Sequence, residues 1–114
     1  HLGEVIEIRN EKHSNKFWST ASIMAAYYEI LNTSTNWLIK KGINKNLAQN
    51  YIAELFLSLS QDAVNKRSQG FKKLVAESQT PKGLNMQVLN ELKRGKFFSK
   101  FAKALENVNK RVSK

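Results

Sequence analysis

The sequence predicts an all-α protein of five or six helices with one short strand at its N-terminus. Three observations carry that expectation. From Asn15 to the end, apolar residues recur at spacings of three and four, the period of one helix face. Gly42, Gly95 and the single proline, Pro81, punctuate the chain where such runs stop. The alternating stretch is "GEVIEIRNE", where Val5, Ile6 and Ile8 stand among Glu4, Glu7 and Arg9.

That first stretch reads as one edge strand, and no later segment offers it a partner. A lone strand cannot satisfy its own backbone, so it is expected to pair with a sheet outside these residues or with a second copy. A helical pattern follows from Asn15 to Gly42, with Ile23, Tyr27, Ile30, Leu31, Ser34 and Leu38 on one face. A break is expected near Ser19–Ser22. Lys40, Lys41 and Gly42 suit a helix C-terminus. The polar run Asn32 to Asn36 forms helix poorly in solvent and suits a place where another helix approaches closely.

A second long helix starts behind Asn44 or Asn46, either of which can cap it. Ile52, Leu55, Phe56, Leu59 and Ala63 form its stripe, and Tyr51 and Leu57 widen the apolar face. "GFKKLVAESQ" predicts a short third helix. The chain then breaks at Pro81, restarts at Leu84 with Met86, Leu89 and Leu92 inward, and stops at Gly95. The last helix carries Phe97, Phe98, Phe101, Leu105, Val108 and Val112 on one face.

A chain of 114 residues, 41% apolar and 25% charged, has the balance of one globular domain. It has no cysteine, which excludes disulfides and Cys-based metal sites. No apolar run approaches the roughly 20 residues that cross a bilayer, and no signal peptide is visible, so a cytoplasmic protein with no membrane partner is expected. The formal charge is +10. From Lys93 onward, Arg94, Lys96, Lys100, Lys103, Lys110, Arg111 and Lys114 stand against Glu106 alone. A solvated basic face is the simpler expectation, and nucleic acid is not the expected partner, because the interleaved phenylalanines occupy the apolar stripe.

Catalytic chemistry of its own is not expected. His13 reads as an exposed loop residue, and Glu54, Asp62 and Glu77 as solvent-face charges. The sequence shows no phosphate loop, dinucleotide fingerprint or His–Glu metal motif, so no catalytic residue and no metal ligand is assigned. Two segments are more informative. Ser19, Thr20 and Ser22 cluster at an expected helix start, where hydroxyls cap and free N–H groups attract anions. Pro81 and Gly83 precede Asn85, whose amide can cap the new helix or meet a ligand.

Together these segments resemble the C-terminal domain of pyrroline-5-carboxylate reductases and their relatives. That family's Ser-Gly-Ser-Gly-Pro-Ala segment aligns with Thr20, Ala21, Ser22, Ile23, Met24 and Ala25. Its Ser/Thr-Pro-Gly-Gly-Thr-Thr segment aligns with Thr80, Pro81, Lys82, Gly83, Leu84 and Asn85. The resemblance implies an interlocking dimerisation domain like the C-terminal domain of 6-phosphogluconate dehydrogenases. It places the end of a Rossmann domain at residues 1–12 and a helical dimerisation and substrate-binding domain at residues 13–114. It implies NADP or NAD bound mainly upstream and self-association as a homodimer, with Tyr27, Tyr28, Trp37, Tyr51 and Phe56 as anchors. It also implies a small-molecule substrate held by Thr20, Ser22, Thr80, Pro81, Gly83, Leu84 and Asn85. Family members serve proline biosynthesis. Leucine and asparagine at the two threonine positions imply a diverged substrate, since a site loses discrimination when a hydrogen-bonding partner is lost. The competing expectation is a stand-alone basic helical module that binds nucleic acid or an acidic partner.

Overall fold

The computed structural model describes residues 11–78 and 82–113. The expected strand at Val5–Ile8 lies outside them. The described residues form α1 (Glu11–Ala21), α2 (Met24–Lys40), α3 (Lys45–Asn65), a 3-10 turn (Arg67–Gln69), α4 (Phe71–Glu77), α5 (Leu84–Arg94) and α6 (Phe97–Val112). The all-α expectation holds. Helix begins at Glu11, earlier than Asn15, because no glycine or proline interrupts that stretch. His13 is exposed as expected, but it lies on α1 and not in a loop.

One compact unit joins residues 11–25 to residues 92–113. In it α1 lies against α6. Ser19 is the buried residue of α1, and its hydroxyl donates to the Asn15 carbonyl at 2.7 Å. On α6, Leu105 and Val108 are half-buried, and Phe97 meets Phe98 edge to face with ring centroids 5.1 Å apart. The rest of the predicted stripe, Phe97, Phe98, Phe101 and Val112, stays exposed. Lys96, and not Gly95, takes the left-handed conformation between α5 and α6, with φ 61°.

The other unit, residues 26–91, is built on an antiparallel hairpin of α2 and α3. Its turn is a Schellman motif. The Ile43 N–H donates to the Leu38 carbonyl at 3.0 Å, and the Gly42 N–H to that of Ile39 at 3.0 Å. Gly42 sits at φ 95°, a conformation that a Cβ would strain. Asn44 then caps α3, its side-chain oxygen accepting from the N–H of Asn46 at 2.9 Å and of Leu47 at 3.3 Å. Of the two asparagines considered, Asn44 does the capping.

Tyr27 and Phe56, nearly equidistant from Gly42, meet edge to face at 6.1 Å, which lays the two helices side by side. Along the two helices Leu31, Ser34, Leu38 and Phe56 are half-buried and Ala48 and Ile52 are buried. Tyr27 and Phe56 therefore hold the hairpin together within one chain. Ala48 was absent from the predicted stripe, whereas Ile30, Leu55, Leu59 and (on α5) Leu92 were placed inward but are exposed. For Ile30, Leu55 and Leu59 the reason is geometric: among the described residues of this unit each helix of the hairpin has one long neighbour, so residues off the seam stay uncovered. On the outer faces Tyr28 and Trp37 are each 59% exposed and Tyr51 is 57% exposed. Lys41 sets its ammonium 5.7 Å from the Trp37 ring centroid, within cation–π range. Along α2 the Asn32 amide donates to Glu29 at 2.9 Å, and the Asn36 amide to Asn32 at 3.4 Å.

Candidate functional site

The hydroxyl cluster ends a helix; it does not start one. Ser19, Thr20 and Ser22 donate to the carbonyls of Asn15, Phe17 and Trp18 at 2.7, 2.8 and 2.9 Å. These bonds occupy the last turn of α1, and the Ser22 N–H donates to the Ser19 carbonyl at 3.2 Å. Hydroxyls that bond back to i−3 and i−4 carbonyls loosen and terminate helices, which explains the break at residues 22–23. Thr20 and Ser22 remain exposed and retain lone pairs that can accept. They do not serve as the N-cap hydroxyls expected for α2.

In the second unit, α4 and α5 enclose an open groove of about 330 Å³. Phe71, Leu74 and Val75 form one wall, Met86 and Leu89 the other, and Ser78 with Asn85 the polar end. Gly83 leads into α5 at φ 67°, and its carbonyl accepts the Gln87 N–H at 2.9 Å. A Cβ on Gly83 would meet nothing within 4 Å, so its backbone conformation, and not crowding, favours glycine there. Leu84 is exposed at the first turn. Asn85 donates its amide to the Ser78 carbonyl at 2.6 Å.

Of the predicted set, Asn85 lines the groove; Gly83 and Leu84 precede it in the chain and are not among the lining residues. Thr80 and Pro81 lie outside the described residues, and Thr20 and Ser22 belong to the other unit. Sequence reading missed Ser78 and the Phe71, Leu74 and Val75 wall. The i, i+3, i+4 spacing of that wall is visible in "FKKLV", but nothing in the sequence marks it as facing α5. No group of three or more His, Asp or Glu side chains able to hold a metal occurs among the described residues. None of the described helices is long and apolar enough to cross a membrane. Lys100, Lys103, Lys110 and Arg111 are exposed on α6.

A family model described as pyrroline-5-carboxylate reductase dimerisation matches residues 11–114. Comparison with curated proteins and with solved structures gave no match. The family match covers every described helix, both the hairpin and the groove.

Proposed function

The chain belongs to the pyrroline-5-carboxylate reductase dimerisation family, and from that premise we propose that it is the self-associating, substrate-binding half of an NAD(P)-dependent reductase. One observation carries the reading beyond the family match. Tyr28, Trp37 and Tyr51 stand more than half exposed on a hairpin whose seam is already closed. Aromatic residues on open helix faces are the usual anchors of an interface core, so a second copy is the expected cover, giving a homodimer.

In this reading residues 1–12 end an upstream Rossmann domain that holds NADP or NAD, and the protein is cytoplasmic. The nicotinamide supplies hydride when bound. The present residues supply orientation and shape. Thr20, Ser22, Thr80, Pro81, Gly83, Leu84 and Asn85 form the substrate-binding set, and Leu84 sets an apolar group where the family pattern has a hydroxyl. The substrate is accordingly an imine-like small molecule other than, or in addition to, pyrroline-5-carboxylate. The basic side of α6 is a solvated face.

The test is nicotinamide oxidation by the full-length protein, with pyrroline-5-carboxylate first and then other cyclic imines and keto acids. Turnover on at least one imine is expected. No turnover on any of them with either nicotinamide would sink the reductase reading. Sedimentation at micromolar concentration tests the assembly separately: a dimer is expected, and a monomer overturns it.

A further inference from the structure

We infer that Asn85 is a positioning residue whose side-chain amide clasps the C-terminal end of α4 to α5 and thereby fixes the groove between them. What the groove binds rests on the reading above, but the clasp itself does not. α4 has seven residues and none is buried. A helix that short has no independent stability in water, and its last carbonyls lack intrahelical partners.

At its end the Ser78 N–H returns to the Val75 carbonyl at 3.3 Å, and the Ser78 hydroxyl donates to that of Leu74 at 2.5 Å. The Ser78 carbonyl points onward, and Asn85 meets it at 2.6 Å from seven positions ahead. The remaining groove-lining residues of both helices are apolar side chains with no directional preference. The amide therefore sets the register in which Phe71, Leu74 and Val75 face Met86 and Leu89. An amide suits this reach. A serine or threonine carries its donor one bond nearer the backbone, and an aspartate has the same shape without the N–H.

Hydrogen exchange read by mass spectrometry on the full-length protein, with neither cofactor nor substrate present, tests the clasp. Asn85→Asp and Asn85→Ala are each expected to speed exchange at residues 74–78 about fivefold, the loss expected of one hydrogen bond. Protection in α1 and α6 should stay as it was. Asn85→Gln keeps the donor and is expected to restore much of the protection, a rescue that a role in mere space-filling would not show. Exchange at residues 74–78 within twofold of the unsubstituted protein in both Asp and Ala variants would overturn the inference. So would a loss spread evenly over every helix, since a clasp acts locally. Because no ligand is present, this result stands apart from the outcome of the nicotinamide assay.

Discussion

Two of the helix–helix connections of the second unit, α2–α3 and α4–α5, are closed in opposite ways. Between α2 and α3 the backbone closes itself, through Leu38, Ile39, Gly42 and Ile43, and one asparagine caps the next helix. Between α4 and α5, among the described residues, a side-chain amide spans seven positions to reach a carbonyl. The first connection is fixed by one dihedral angle and tolerates most side-chain changes. Across the second, the Asn85 amide is the side-chain donor that the described residues place on the Ser78 carbonyl. Long-lived scaffold and adjustable rim are thus encoded by different means within 66 residues.

Substitutions break or sharpen that contrast, and the largest effect belongs to the seam. Ile52→Ala should destabilise folding by about 3 kcal/mol, the cost of an emptied core site, read from urea unfolding at fixed protein concentration because self-association adds to apparent stability. Its neighbour provides the counter-case. Tyr51→Ala should weaken self-association by about 2 kcal/mol, as an interface anchor does, read by sedimentation. In the turn, Gly42→Ala should cost about 1–2 kcal/mol by forcing a Cβ into the left-handed region. Asn44→Ala should cost about 1 kcal/mol through lost capping. The smallest change is a gain. Lys96→Gly relieves left-handed strain at the α5–α6 turn and should stabilise by roughly 0.5 kcal/mol, after the entropy that glycine loses on folding. A Gly42→Ala variant as stable as the parent would erase the distinction between the two connections.

The parts legible in the sequence are those fixed by local chemistry. Lys40, Lys41 and Gly42 announced the helix stop and Asn44 the next start, because caps and left-handed glycines act within a few residues. Among the described residues the period of three and four located α2 to α6 and the later part of α1. Its depth was not legible. Ile52 and Leu55 look alike in a one-dimensional stripe, yet one is 5% exposed and the other lies off the seam. The hydroxyls of Ser19, Thr20 and Ser22 were read as marking a helix start or a kink; they sit at the kink, and the choice was open because serine and threonine can bond forward as caps or backward to i−4. The Ser78–Asn85 bond lay beyond local reading altogether. Of the candidate site, the restart at Gly83 was visible, whereas the groove lined by Asn85 needed α4 to be set against α5.

The row of Glu29, Asn32 and Asn36 along α2 has a consequence for how such a domain survives between synthesis and assembly. Each amide donates one hydrogen bond to its neighbour one turn back, so part of the strip's hydrogen-bonding capacity is met before any second chain arrives. A newly made copy therefore carries a hydrophilic strip beside its bare aromatics, and covering that strip costs less than covering three unlinked polar side chains. Encounter is then selective: greasy side chains supply adhesion, while the N–H groups left over call for acceptors that a chance partner lacks.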